Sequence, residues 1–566
     1  MVAIFISWIY ILFTTVNLGF LTDKILLLKN RNLAIYSLLG LFLTTILASI
    51  WAIFGRINIE FHLFLLLLNI GVFCTFRTPI IDSYRLFFLA FRQWQKTLKV
   101  VFVLLTFLII AQCSSVPYVI DNESYYIQTI KWLNEYGFVK GLINLHLFFS
   151  QTSGWHIAQS VFNFSFLYAN FNDLSGYCLF VGILFSVEKL NEFYKNGNKN
   201  YLIIGLFPLF SIFYFQFISA PSPDIPVYVL SFILFFYFIE NFKNTSPAVF
   251  NLMVILSLFT LYIKNTALIL ALLPLVLLLN NAKTLSKNLL KPFLIAVLFL
   301  ALFLIKNMII CGTPVFPSQI FDSFATDYAI PNHIEKFYYE QFKVYGFFVY
   351  QNQYDSMSAL DLFLRWLSLP KLNGLFNKIA VLLLIITPVF IYKFQHKKSV
   401  WMLYLLIVLQ MVFLFVTSPQ YRFFMNFILF FSVFCLASFI QKRKTIHTFF
   451  ILSLLPTIIV LFVPFNLNRF SNHKFMLEIS TFSAENALFP HENSKYKLPF
   501  TSVRLGNFSY NSPKNCDFFW ANGNGELPCV NKDQVEYFRK YFYTIPQMRT
   551  KDLKDGFYAK KLLLNE

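Results

Sequence analysis

Charge is scarce in this 566-residue chain: 13% of its residues are Asp, Glu, Lys or Arg, and only 27 of them are acidic against 46 basic. A water-facing surface cannot be built from so few charges, which excludes an ordinary soluble domain. Glycine is sparse as well, 18 in all, which counts against the repeated, glycine-broken helices of many transporters. No alternating ten-residue pattern supports a membrane β-barrel. No GxGxxG, P-loop or GxSxG supports a nucleotide-driven pump or a serine hydrolase. There is no internal repeat, and no low-complexity tract beyond a general Phe/Leu bias. The net charge of +19 is not gathered into one basic face with interleaved aromatics, so no nucleic-acid partner is expected.

What is present is apolar: 57% hydrophobic residues, 20% aromatics and a mean hydropathy of +0.62. About 20 apolar residues cross about 30 Å of hydrocarbon as a helix that satisfies its own backbone. Such runs fall at 1–21, 33–55, 61–77, 100–117, 173–190, 201–219, 225–241, 248–263, 266–280, 292–309, 374–393, 399–417, 421–440 and 447–464. The fold class expected is therefore an all-α polytopic membrane protein of about fourteen helices with a small extracytoplasmic C-terminal region. Alternation places Lys24, Lys29 and Arg31, then Arg85 to Lys99, Lys189 to Lys199, Lys243, Lys283 to Lys291, Lys393 to Lys398 and Lys442 to Lys444 on one side, as positive charge on the cytoplasmic face requires. Both termini then lie outside. The first run lacks a basic n-region and a small-residue cleavage site, so it reads as a span rather than a signal peptide. The runs around Lys264 also read as one broken helix, which would invert everything downstream.

Three segments project outside: 118–172, 310–373 and the tail 465–566. The first reads as an amphipathic helix along the membrane surface, with Trp132 and Trp155 in the headgroup layer. Cys516 and Cys529 flank the polar stretch NCDFFWANGNGELPC in the tail. In an oxidising compartment they are expected to form a disulfide closing a short loop, the alternative being two unrelated thiols.

Within this apolar chain, YVIDNESYY puts Asp121 and Glu123 where the fourth run ends. Ionisable groups at that depth call for a reason, although Asp121 also reads as a helix N-cap with Glu123 in the first turn. Asp224, in SAPSPDIPV, likewise reads as part of a helix start, yet alternation puts it on the same side and near the same depth as Asp121. Lys264 (YIKNTA), Lys306 (LIKNMIICGTPVFP) and Arg422 (SPQYRFF) stand at outer ends of spans, against the orientation rule. Carboxylates with cations at one membrane face suit a phosphate-bearing lipid: the cations hold phosphate while a carboxylate works at the adjacent carbon. His146 and His156, ten apart with no close third ligand, read as interfacial polar residues rather than a metal site.

Taken together, these motifs resemble the GT-C superfamily of polytopic glycosyltransferases, and more narrowly bacterial membrane proteins of that type whose extracytoplasmic tail carries a Pro-Cys element, here Leu527-Pro528-Cys529. The resemblance covers about 100–530, so residues 1–99 lie outside it, ahead of a core over 100–464. It implies transfer of a sugar from a polyprenyl-phosphate donor to a glycan or lipid acceptor, with inversion, in a bacterial inner (cytoplasmic) membrane, at a site facing the periplasm or cell exterior among membrane lipids. Asp121 becomes the candidate base, Glu123 its neighbour or the ligand of a divalent metal that some relatives use, and Asp224 a second acid. Lys264, Lys306 and Arg422 become candidate holders of the donor phosphate. Relatives often carry an adjacent Asp-Glu pair; here Asn122 intervenes, which leaves open which acid is the base. A transporter or flippase of a lipid-linked glycan, a glycan polymerase or ligase, and a non-catalytic assembly subunit remain as alternatives. The tail aromatics Tyr510, Phe518, Phe519 and Trp520 are candidates either for stacking on acceptor sugars or for packing a lid on the outer loops.

Overall fold

A computed structural model describes residues 1–395, 397–464, 466–468 and 481–562. Part of the expected tail, 469–480, lies outside the described residues. By length and composition eleven helices can cross a membrane: Val2–Leu26, Leu33–Phe54, Lys96–Ser114, Leu174–Asn196, Lys199–Ile218, Asp224–Asn241, Leu290–Cys311, Lys371–Phe394, Lys398–Thr417, Tyr421–Phe439 and Arg443–Phe462. Two further pairs are bent, Ile59–Thr75 with Arg77–Arg92 by 86° and Asn265–Asn280 with Ala282–Asn288 by 93°, bringing the number to 13 if each pair is one span. The expected run 248–263 is the shorter apolar helix Pro247–Ile263. At Lys264 the helix breaks, and the chain restarts as the tight 3₁₀ stretch Asn265–Ala271.

The first two helices pack through glycine. A Cβ on Gly19 would lie 1.8 Å from the Tyr36 carbonyl oxygen, and one on Gly40 1.8 Å from that of Thr15, so at each contact a glycine on one helix lets the backbone of the other come close. Gly40→Val is expected to destabilise the protein by about 1–3 kcal/mol through overpacking. Gly71→Val, with nothing within 4 Å of its Cβ, is the matched control. Thermal unfolding in detergent reads both, and equal shifts would mean that the close approach carries no stability.

The helix bundle has two chemically different ends. At one, cations tie connections together: Lys291 Nζ donates to the Ile25 carbonyl at 2.9 Å, Lys199 Nζ to Phe394 at 3.0 Å and Arg443 Nη2 to Tyr194 at 2.7 Å. At the other, the projecting segments meet the helix ends: Phe138 N donates to Ala52 O at 2.7 Å, Gly141 N to Ile309 O at 2.8 Å and His491 N to Ser114 O at 2.9 Å. Lys264, Lys306, Arg422, Asp121 and Asp224 all belong to this second end.

Segment 118–172 is not the amphipathic helix expected. It folds into short helices, including Ile127–Glu135 and Gly154–Phe162, in which Trp132 is 1% and Trp155 0% exposed. The tail satisfies polar positions in it: Gln128 Nε2 donates to the carbonyls of Gly523 and Gly525, both at 2.9 Å. The chain is mostly helical, as the all-α polytopic expectation has it, and the C-terminal tail adds strands. The tail holds two antiparallel hairpins, Phe500–Leu505 with Phe508–Pro513 and Thr544–Met548 with Phe557–Lys561, and the helix Lys532–Phe542. The first hairpin turns at Gly506, where φ is +59° and a Cβ would strike the Gln547 side chain at 2.2 Å. The second is stitched to segment 118–172 by Phe557 N donating to Lys140 O at 2.9 Å.

Candidate functional site

Asp121 follows the C-terminal end of Lys96–Ser114 and precedes a widened, π-helical turn, Asn122–Tyr126. It does not cap that turn with its side chain. Its Oδ2 instead accepts from Arg422 Nη1 at 2.5 Å and from the Tyr126 hydroxyl at 3.4 Å. Arg422 stands in the first turn of Tyr421–Phe439, delivered there by the Ser418-Pro419-Gln420 turn, and its Nε is buried with no protein partner.

Asp224 begins Asp224–Asn241 and is 1% exposed. Its carboxylate pairs with Lys264 and accepts from the Ser222 hydroxyl at 3.2 Å. Lys264 is available there because the helix breaks beneath it. Its Nζ also lies 4.5 Å from the Phe423 ring, and the Arg422 guanidinium 5.2 Å from the same ring, so one aromatic face serves two cations. Lys306, near the C-terminal end of Leu290–Cys311, donates to the Thr152 carbonyl at 2.5 Å and lies 5.6 Å from the Tyr262 ring. Among the described residues no carboxylate pairs with it.

These side chains converge on a cavity of ≈ 350 Å³. Asp121, Lys264, Lys306 and Arg422 line it, with Tyr125, Tyr126, Tyr338, Tyr339, Phe342 and Phe423 as aromatic wall. Asp224 stands behind Lys264. Counting three cations against Asp121 and Asp224, the cluster carries one excess positive charge, fitting an anionic ligand group. The wall is braced from outside: Phe148 contacts the rings of Tyr125, at 5.7 Å, and Phe342, at 5.9 Å, and is itself stacked by the tail's Trp520 at 4.6 Å.

Several expectations are corrected. Glu123 is not a partner of Asp121 in the cavity. Its carboxylate turns toward the tail and accepts from Ser494 Oγ and Lys495 N, both at 2.7 Å, and from Asn122 Nδ2 at 3.3 Å. Burial pushes its carboxyl up, and those hydrogen bonds pull against the shift. Around the cavity Asp121 and Asp224 each face a cation, and among the described residues no group of three His, Cys, Asp or Glu is placed to hold a metal ion. His146 and His156 are not interfacial but buried, which pushes both imidazoles down to about 3. His156 Nδ1 accepts from Ser153 N at 3.2 Å and completes a helix start. Of the tail aromatics Tyr510 is buried, whereas Trp520, stacked on Phe148, and Phe518 and Phe519 are partly exposed.

Cys516 and Cys529 form no disulfide. Their sulfurs point to different carbonyls, Cys516 to Phe518 at 3.8 Å and Cys529 to Asn522 at 3.3 Å, and burial pushes the Cys529 thiol up to about 12. Alkylation of the denatured, unreduced chain is expected to label all seven cysteines. A cross-linked Cys516–Cys529 peptide in that digest would reverse the assignment.

Sequence reasoning missed Tyr126, the Thr152 carbonyl, Phe423 and Phe148. Only Tyr126 left a signal, five residues after Asp121, the spacing that one π-turn aligns.

The chain belongs to the family described as a domain of unknown function (DUF8201), whose model matches residues 1–429. That match takes in every cavity-lining residue named above and ends before the tail. No curated protein and no solved structure matches the chain.

Proposed function

We propose that the protein is a GT-C-type glycosyltransferase that moves a sugar from a polyprenyl-phosphate donor to a cell-envelope glycan or lipid acceptor. The observation that carries this reading is the placement of Asp121 in a cavity with Arg422, Lys264 and Lys306 at one end of the helix bundle. In the proposed step an acceptor hydroxyl loses its proton to Asp121, its oxygen attacks the anomeric carbon from the face opposite the phosphate, and the carbon–oxygen bond to the phosphate breaks. The lipid phosphate leaves as an anion. Such a leaving group needs charge neutralisation more than protonation, and cations in a water-poor cavity provide it strongly. The volume of ≈ 350 Å³ is at the lower end of ordinary ligand pockets, about 300–1,000 Å³, and suits a single sugar with its phosphate.

In this reading the eleven long helices, the two bent pairs and Pro247–Ile263 make fourteen crossings, which places the basic connections in the cytoplasm of a bacterial cell and the cavity on the periplasmic or outer face. A flippase needs a path past the midplane, whereas these charges gather at one end. Mass spectrometry of lipid-linked and surface glycans from cells with the intact protein, a deletion or Asp121→Asn tests the proposal. Loss of one same sugar from both altered strains supports transfer, and a complete precursor accumulating on lipid in the deletion alone supports transport or assembly.

A further inference from the structure

The turn next to Asp121 is held from outside the family-matched region. Asn122–Tyr126 is π-helical, a wound-out geometry that does not persist without support and that often marks functional positions. Here the support comes from residues 493–525 of the tail. Glu123 is 3% exposed, and its carboxylate accepts from Ser494 Oγ and Lys495 N at 2.7 Å each. Its carbonyl accepts from Asn522 N and Gly523 N, both at 2.9 Å. Asn522 Nδ2 donates to the Ser124 carbonyl at 2.7 Å, and Asn122 Nδ2 to the Asn493 carbonyl at 2.7 Å. Three consecutive residues of the turn are thus bonded to the tail by backbone or side chain.

The consequence falls on Asp121. Tyr126 reaches its carboxylate across five residues, the separation a π-turn brings into line and an α-turn does not. An unsupported turn would rewind to α-helix, carry Tyr126 away and re-aim Asp121 relative to Arg422.

We propose that Glu123 is a positioning residue: with Ser494 and Asn522 it clamps the π-turn so that Asp121 faces the cavity, making the tail a working part of the site. The chemistry this serves rests on the transferase reading, whereas the clamp itself is measurable without it.

The experiment uses the full chain in nanodiscs. Hydrogen exchange over 118–130 is followed in the intact protein, Glu123→Ala and Asn522→Ala, beside the amount of glycan product made in cells and, with the donor identified there, kcat and KM. Glu123→Ala is expected to speed exchange within 121–127 by about tenfold or more, the effect of losing one bond to a charged group, and Asn522→Ala, which loses the neutral bond to the Ser124 carbonyl, by about threefold or more, while the spanning helices keep their protection. Product should fall through kcat with the donor KM unchanged, because Lys264 and Lys306 stay in place. Glu123→Gln should recover part of both, since its amide oxygen still accepts from Lys495 N. Unchanged exchange in both variants overturns the clamp whatever Asp121 does. Faster exchange with undiminished product, where Asp121→Asn abolishes product, overturns the positioning role. Faster exchange where Asp121→Asn leaves the glycans intact keeps the clamp and discards the transferase. If Glu123→Ala does not fold, Ser494→Ala removes the hydroxyl that donates to Glu123 and keeps the carboxylate, and is read in the same way.

Discussion

Asp121→Asn is expected to reduce sugar transfer by about 10²–10⁴-fold, the contribution of a well-placed general base, in a protein that still folds. The amide keeps the shape of the carboxylate, and its oxygen can still accept from Arg422 Nη1, now 2.5 Å from Oδ2. What it loses is the capacity to take a proton. Arg422 sharpens this prediction. The carboxylate is engaged by Arg422. A donor phosphate entering the cavity competes for the guanidinium, whose Nε has no protein partner, and so loosens the pair as the acceptor arrives. The base is then released only when the leaving group is in place. The comparison is made at matched expression by mass spectrometry of lipid-linked and surface glycans. A variant whose glycans match those of the intact protein would reduce Asp121 to a structural partner of Arg422.

The residues that converge were conspicuous in the sequence because the chain is so poor in charge. Lys264, Lys306 and Arg422 stood at span ends where the orientation rule disfavours cations, and the parity of the apolar runs put them at one end with Asp121 and Asp224. Parity does not depend on where each helix begins but does depend on the number of runs, so the convergence was legible only with the two runs around Lys264 counted separately. Pairing was not legible: Asp121 with Arg422 and Asp224 with Lys264 span 301 and 40 residues, and no local pattern encodes such distances. Glu123 misled for the same reason. Its partners lie some 371 residues away, and the π-turn that separates its direction from that of Asp121 exists through those partners. The tail misled through its composition. Two cysteines flanking a polar stretch fit a disulfide loop as well as two unrelated thiols, and only the directions of their sulfurs, toward Phe518 O and Asn522 O, separate the two readings.

Lys264→Met is expected to destabilise the protein by about 3–5 kcal/mol, because it strands a buried carboxylate with no countercharge. Asp224 is 1% exposed, and its remaining side-chain partner, the Ser222 hydroxyl, donates one bond at 3.2 Å. The converse change, Asp224→Asn, leaves Lys264 with the Phe423 ring at 4.5 Å as its surviving neighbour. Combined, the two substitutions put a neutral amide opposite a thioether, and most of the stability should return, since the penalty comes from the orphaned charge rather than the lost pair. Thermal unfolding in detergent reads the cycle; a double variant as unstable as Lys264→Met alone would show that the pair matters for its shape and not its charge. Transfer should not return with stability. Lys264 lines the cavity where the donor phosphate is proposed to sit, so the double variant should fold and still transfer poorly. The two acids at this end of the bundle thereby separate by measurement: the more buried, Asp224, fastens the broken helix at Lys264 to the start of Asp224–Asn241, and the less buried, Asp121, is left free to act.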